Sequence, residues 1–146
     1  MCGVDYKGKK ILVVGLGKTG VGLCRFLATR QARVTATDSA TAAALSPALT
    51  ALQGLDLTLE IGRPQPARWQ DFDLIVASPG VPPELPWLQA AVAQGIPLVG
   101  ELEIAGHYLH LPMVAISGTN GKTTTTTLVA ELLRASGRRP LVGGNI

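Results

Sequence analysis

A glycine-rich turn between two apolar segments constrains the fold of this chain more than any other part of its sequence. The turn, Gly15-Leu16-Gly17-Lys18-Thr19-Gly20, has the pattern G-x-G-x-x-G and follows a predicted buried strand at residues 9–14, which begins with two lysines and is apolar from Ile11 onward. Residues 19–30 carry apolar side chains at helical spacing, and residues 33–37 form a strand-like segment that ends in Asp38. This order of strand, glycine turn, helix, strand and acid predicts a Rossmann-like βαβ unit.

The three glycines of this turn are expected to have separate functions. Gly15 allows the tight turn, Gly17 lets the backbone approach a diphosphate, and Gly20 lets the helix pack close to the strand. A fold does not determine its ligand, and any molecule with a diphosphate and a ribose would satisfy these groups. A dinucleotide and a UDP-sugar are therefore both candidate ligands.

Helix and strand patterns continue to alternate through residue 110, which predicts an α/β fold with a Rossmann-like parallel sheet. The predicted elements are a helix at residues 42–52, strands at 55–61 and 72–77, a helix at 86–94, a short strand at 96–99 and a helix at 101–110. Loops at the carboxyl ends of parallel strands line the ligand crevice. Gly80, which follows the strand at 72–77, is expected either to face the ligand or to belong to a rigid Pro/Gly turn without contact. We place this domain at residues 1–100.

A second glycine-rich segment predicts phosphate binding in residues 101–146. Apolar residues 112–116 predict a short buried strand, followed by Gly118-Thr119-Asn120-Gly121-Lys122-Thr123-Thr124 and a helix to residue 136. Amides of such a turn bind phosphate oxygens, Lys122 would reach the terminal phosphates of ATP, and the Thr123 hydroxyl would ligate Mg²⁺. Ile116 stands where the general P-loop pattern has glycine, so the motif is a shorter form. We predict the beginning of a P-loop α/β ATPase domain.

The sequence after Lys122 is too short for a whole P-loop domain, which needs several strands and an acid near Mg²⁺. The one acid in this segment is Glu131, in the middle of the predicted helix. Leu128, Leu132 and Leu133 are expected to face inward, and the threonines at 123–127 to begin the helix in a buried position. We therefore expect a truncated chain, inactive alone, that exposes apolar surface and self-associates, whereas the full-length protein would be a monomer.

Composition argues against several classes of function. The net charge of +3 is spread along the chain, without a basic stripe interleaved with aromatics, so we expect no nucleic-acid binding. Cys2 and Cys24 form neither a disulfide framework nor a metal-binding spacing, and Cys24 is expected to be a small buried hydrophobe. His107 and His110 lie three residues apart on a predicted helix but have no third ligand. No apolar run is long enough for a membrane span, which predicts a cytoplasmic protein without membrane partners.

Together these motifs resemble the Mur ligases of peptidoglycan and cell-wall synthesis. The resemblance covers nearly the whole chain but about the first third of such an enzyme. It is carried by the glycine turn with Asp38, SPGV at residues 78–81, GELEIAG at 100–106, SGTNGKTTT at 117–125 and the closing GGNI. SPGV together with GELE points to the branch of the family that adds D-glutamate.

The resemblance implies an ATP-dependent amide ligase that joins D-glutamate to UDP-N-acetylmuramoyl-L-alanine through an acyl phosphate. Lys122 would be the catalytic residue and would act with Mg²⁺ on the transferred phosphoryl group. The UDP-substrate contacts carried over from the family are Gly17, Lys18, Thr19, Asp38, Ser39, Gly80 and Asn145. Ala40 replaces an arginine of the family pattern, which puts one contact of the uracil or phosphate in question.

Two other functions fit part of the sequence. An NAD(P)-dependent oxidoreductase or dinucleotide-binding module would explain the glycine turn and Asp38, but it has no use for Lys122 and Thr123. Another ATP-dependent ligase, such as a folylpolyglutamate synthase, resembles the chain only from Pro112 onward and lacks the preceding Rossmann-like unit.

Overall fold

The computed structural model describes residues 4–109 and 111–144, which fall into two compact units, Met1–His110 and Leu111–Ile146. The first unit is built on a five-stranded parallel sheet, which confirms the predicted α/β fold. Its elements are β1 (Lys10–Val14), α1 (Lys18–Thr29), β2 (Arg33–Asp38), α2 (Ser46–Leu52), β3 (Leu57–Ile61), a 3₁₀ turn (Trp69–Asp71), β4 (Leu74–Ala77), α3 (Pro86–Ala93), β5 (Leu98–Gly100) and α4 (Glu101–Gly106).

Strand β1 is the centre of this unit because both of its faces are covered. Ile11 and Val13 pack into a cluster that includes residues of α1, α2 and α4. Leu12 and Val14 pack into a second cluster with α3 and Trp69. Alternate residues of a strand point to opposite faces, and a parallel sheet is buried on both. The uninterrupted apolar run of β1 follows from this layered arrangement.

The strand order is β3-β2-β1-β4-β5, so the chain reverses direction across the sheet between β3 and β4. Val14 at the end of β1 lies opposite Thr37 of β2 and Ala77 of β4. The carboxyl ends of the three strands therefore meet at one edge. In open α/β sheets this switch point is where ligands bind.

Cys24 lies in the core between α1 and the sheet, as predicted for a small hydrophobe. Burial raises the pKa of its thiol to about 12, from an ordinary value of 9.0, because the charged thiolate would lose its hydration.

Two helices of the first unit are shorter than predicted. Helix α2 begins at Ser46 instead of residue 42, because Pro47 fits only the first turn of a helix. Helix α4 ends at Gly106, and His110 lies outside the described residues. Ile104 of α4 is buried in the same cluster as Ile11. The first compact unit accordingly runs to residue 110, and the assignment of residues 1–100 to a substrate-binding domain stays a prediction.

The second unit contains helix α5, Lys122–Ala135. The strand predicted at 112–116 is wrong: the segment is unpaired, and Met113 and Val114 are 64% and 66% exposed. A strand needs a neighbour to satisfy its backbone groups, and the described residues of this unit include no other strand. For the same reason, residues 140–143 form no strand.

The side chains of α5 are also more exposed than predicted. Leu128 and Leu132 are 58% and 63% exposed instead of facing inward, and most of the threonines at 123–127 are exposed. The structure thus corrects the expectation of a buried helix start. Neither α5, with 14 residues, nor any other helix in the described ranges has the length and apolar character to cross a membrane.

Candidate nucleotide-binding site

A cleft of about 640 Å³ opens in the first unit at the carboxyl edge of β1, β2 and β4. Six residues predicted to bind the UDP substrate line it: Gly17, Lys18, Thr19, Asp38, Ser39 and Gly80. The seventh, Asn145, lies outside the described residues. The sheet topology therefore brings together groups that are up to 63 positions apart in sequence, and their contacts with a ligand stay a prediction.

The glycine turn has the packing that its sequence predicts. Gly15 has φ +89°, and a side chain there would meet Val81 and Ser78 at 3.0–3.2 Å. A Cβ at Gly20 would overlap the carbonyl oxygen of Gly15 and lie 2.9 Å from its carbonyl carbon. The roles of Gly15 in the turn and of Gly20 in close packing are thereby confirmed. Nothing lies within 4 Å of the Cβ position of Gly17, which leaves that face open.

The N-terminus of α1 provides the groups for anion binding at the cleft. Gly17 is the N-cap and has no side chain to cap the helix, while its carbonyl accepts from Val21 at 3.0 Å. The amides of Lys18 and Thr19 belong to the first turn, where a helix leaves N–H groups without partners inside the helix. These amides, the helix dipole and the Lys18 ammonium favour a phosphate group here.

Asp38 braces the cleft with its side chain and its backbone. Its carboxylate accepts the amide of Leu16 at 2.7 Å and that of Ala40 at 2.8 Å. Its carbonyl accepts the amide of Gly62 at 2.8 Å. This bracing was not predicted from the sequence. Because a carboxylate has about four acceptor positions, Asp38 also keeps acceptors for a ribose hydroxyl.

Ser78 is a further cleft residue that sequence reasoning missed. It is buried at the end of β4, and its hydroxyl donates to the carbonyl of Gly15 at 3.0 Å. The Ser78 amide donates to Val14 at 2.9 Å. The SPGV segment therefore holds the glycine turn from the β4 side, which explains a serine at this position.

The two ends of the cleft differ in polarity. Arg63 and Gln65, from the loop after β3, line one part of it and were not predicted as site residues. Val81, Leu85 and Trp87 give the β4 side an apolar wall. The sequence signal for Arg63 was a charged residue two positions after a predicted strand. That signal can be used only when the strand beside β2 is known.

The segment of the second unit that is predicted to bind phosphate leads into helix α5 through two glycines. Gly118 and Gly121 have φ +152° and +75°, values that favour glycine, and Gly121 is the N-cap of α5. The amides of Lys122, Thr123 and Thr124 thus open the helix, and the Lys122 ammonium donates to the carbonyl of Gly118. Within residues 4–109 and 111–144 no cluster of three His, Cys, Asp or Glu could hold a metal. The role of the Thr123 hydroxyl as a Mg²⁺ ligand, together with phosphates and water, stays a prediction.

Comparisons with known proteins identify the family of this chain. The family described as Mur ligase MurD-like, N-terminal domain, matches residues 9–100. The chain belongs to the MurD-like Mur ligases. It is 51% identical over 98% of its length to the UDP-N-acetylmuramoylalanine–D-glutamate ligase of Geotalea daltonii, and 52% identical to that of Citrifermentans bemidjiense. The chain spans about a third, 32%, of the length of these curated relatives.

A solved structure extends the fold comparison. The UDP-N-acetylmuramate:L-alanyl-gamma-D-glutamyl-meso-diaminopimelate ligase of Neisseria meningitides matches 94% of this chain and 43% of its own, with a TM-score of 0.59 and 24% identity. At that identity the match supports the fold.

Proposed function

We propose that this chain is part of an ATP-dependent ligase that adds D-glutamate to UDP-N-acetylmuramoyl-L-alanine in peptidoglycan synthesis. The observation that carries the proposal is the convergence of the α1 N-terminus, Asp38, Ser39 and Gly80 on one cleft. The relatives that match 98% of the chain are ligases with this substrate in their names. Because the reaction consumes ATP, we place it in the cytoplasm, and we expect the full-length enzyme to be a monomer.

The first unit would bind the UDP group and hold the substrate. The diphosphate fits the α1 N-terminus, where the amides of Lys18 and Thr19 and the Lys18 ammonium offset its charge. The ribose would lie beside Asp38 and Ser39, and the Gly80 backbone would face the ligand from β4. In this arrangement Gly17, Lys18, Thr19, Asp38, Ser39, Gly80 and Asn145 are substrate-binding residues.

The second unit would bind ATP. The amides of residues 118–124 and the Lys122 ammonium would surround its phosphates and stabilise the charge that develops as a phosphoryl group passes to the substrate carboxylate. The D-glutamate amine then attacks the acyl phosphate, forms the amide and releases phosphate. Mg²⁺, held by Thr123 and the phosphates, would supply charge neutralisation. We assign residues 1–100 to the UDP-substrate domain and 101–146 to the start of the ATP domain.

Calorimetric titration of the 146-residue chain tests the first part of the proposal. We expect saturable binding of UDP-N-acetylmuramoyl-L-alanine and no saturable binding of NADH. Saturable NADH binding without a response to the UDP ligand would establish the dinucleotide-binding alternative instead.

Lys18→Ala should lower the affinity for the UDP ligand by about tenfold, the effect of losing one interaction with a charged group. Lys7→Ala, an exposed lysine outside the cleft, is the matched control.

The proposed ATP site is tested by measuring ATP turnover in a ligase as long as the curated relatives. Lys122→Ala should lower ATP turnover by at least about 10²-fold, as expected for one lost charge-stabilising group, while UDP-substrate binding stays unchanged. Arg139→Ala, exposed and outside the loop, should leave turnover unchanged. Normal turnover in Lys122→Ala would exclude Lys122 as the phosphate-binding residue.

A further inference from the structure

Arg63 lines the cleft from the loop after β3, on the side opposite the apolar wall of Val81, Leu85 and Trp87. Strand β3 pairs with β2, and Ile61 at its end lies opposite Asp38. Arg63 follows two residues later and lines the same cleft as Asp38 and Lys18. Asp38 therefore stands between Arg63 and the glycine turn in the strand order.

The loop that carries Arg63 is fixed at both ends. The Gly62 amide donates to the Asp38 carbonyl at 2.8 Å, and Gly62 has φ +73°. The Ala67 amide donates to the Glu60 carboxylate at 2.8 Å, and Pro66 between them is fully buried. The loop thus presents Arg63 on an ordered backbone, which reduces the entropy lost when a ligand binds.

The Arg63 guanidinium itself is free to bind a ligand. Its residue is exposed, and the salt bridges found among the described residues pair other arginines, Arg68 with Asp71 and Arg134 with Glu131. A guanidinium presents five N–H donors in a planar fork and stacks on flat rings. The residue at position 40, which follows Asp38 on the same edge, is alanine and has no polar side-chain group.

The order of the strands suggests which part of a nucleotide reaches Arg63. Neighbouring strands lie about 4.8 Å apart, so β3 is about 10 Å from β1 across the sheet. A diphosphate at the α1 N-terminus and a ribose at Asp38 leave the base over the end of β3. We propose that Arg63 recognises the base of the nucleotide, a pyrimidine whose carbonyl oxygens accept from the guanidinium. This assignment rests on the proposed UDP-substrate function.

Titrations of the 146-residue chain with UDP and with inorganic pyrophosphate separate base recognition from phosphate binding. Arg63→Ala should lower the affinity for UDP by about tenfold, as expected for one lost interaction with a charged donor. The affinity for pyrophosphate should stay unchanged. Arg63→Lys keeps the charge but loses the planar fork of donors, so the affinity for UDP should fall to a similar extent. Arg68→Ala, an exposed arginine that does not line this cleft, should stay within about twofold of the parent, since surface substitutions are nearly neutral.

Each other outcome overturns the assignment in a recognisable way. Equal UDP affinity in Arg63→Ala and the parent would show that Arg63 does not contact the ligand. A parallel loss of UDP and pyrophosphate, rescued by Arg63→Lys, would make Arg63 a phosphate contact. Failure of the parent chain itself to bind UDP would refute the proposed function as well.

Discussion

The Asp38 carboxylate accepts the amide N–H of Leu16 at 2.7 Å and joins the end of β2 to the middle of the glycine turn after β1. The other carboxylate oxygen accepts the amide of Ala40 at 2.8 Å. An acid at this position is usually explained by its contact with a ribose. Here it also holds the turn that would bind the diphosphate, so we expect folding and ligand binding to depend on the same side chain.

Replacement of Asp38 should therefore lower stability even without a ligand. Asp38→Ala removes two acceptors with charge and leaves two amides without partners, which should reduce the free energy of unfolding by about 2–4 kcal/mol. Urea titration followed by tryptophan fluorescence reports on the first unit, because Trp69 and Trp87 both lie in it. Asp56→Ala, at an exposed acid, should change the free energy by less than about 0.5 kcal/mol. Equal effects of the two substitutions would refute the bracing role.

Gly20 and Gly22 lie two residues apart on α1 and should respond in opposite directions to alanine. Gly20→Ala forces a Cβ into the Gly15 carbonyl and should destabilise the first unit by about 1–3 kcal/mol, the usual range for overpacking. Nothing lies within 4 Å of the Cβ position of Gly22. Gly22→Ala should stabilise the helix by about 0.5–1 kcal/mol, because alanine loses less backbone entropy. Urea titrations of both variants measure the two changes in the free energy of unfolding. Changes of the same sign would contradict the prediction.

The Cys24 thiol should lower stability at alkaline pH. Its pKa is about 12 in the folded chain and near 9.0 when unfolded. Between these values the unfolded state binds fewer protons, so the free energy of unfolding falls as pH rises, by at most about 1.4 kcal/mol per pH unit. Below pH 9 this contribution is fully present.

Comparison with Cys24→Ala isolates this effect, because the lysines and tyrosines are common to both chains. The alanine variant should be less stable at neutral pH but should lose stability less steeply between pH 9 and 11. Parallel pH profiles would contradict the raised pKa. In a Cys2→Ser background, iodoacetamide should modify Cys24 only after denaturation, since the thiolate is the reactive form.

The sequence predicts most of the first unit because its signals are local. The apolar run of β1, the glycines of the turn and Pro86 at the start of α3 each act within a few residues, and the observed bounds lie within two residues of those predicted. The predicted site residues after β1, β2 and β4 meet at one edge because the carboxyl ends of parallel strands lie on the same side of a sheet. Hydrogen bonds such as Ser78 with Gly15, or the position of Arg63 beside Asp38, depend on the strand order and could not be derived from spacing alone.

The second unit shows where such local signals fail. Residues 112–116 have a strand composition, but a strand forms only with a neighbour, and α5 has an apolar spacing without a surface that covers it in the described unit. Local pattern therefore determined the helix but neither the strand nor the burial of Leu128 and Leu132.

Leu128 and Leu132 lie one helical turn apart on α5 and expose more than half of their surface, so they share one apolar face. Exposed apolar patches promote association. We expect the 146-residue chain to self-associate with rising concentration, and Leu128→Glu with Leu132→Glu to suppress this. The double substitution lowers the net charge by two, as does Arg138→Glu at an exposed position after α5, which serves as the charge control. Sedimentation velocity should show oligomers in the parent and the control but a monomer in the double variant. A monomeric parent at high concentration would contradict the prediction, and loss of oligomers in the control would assign the effect to charge.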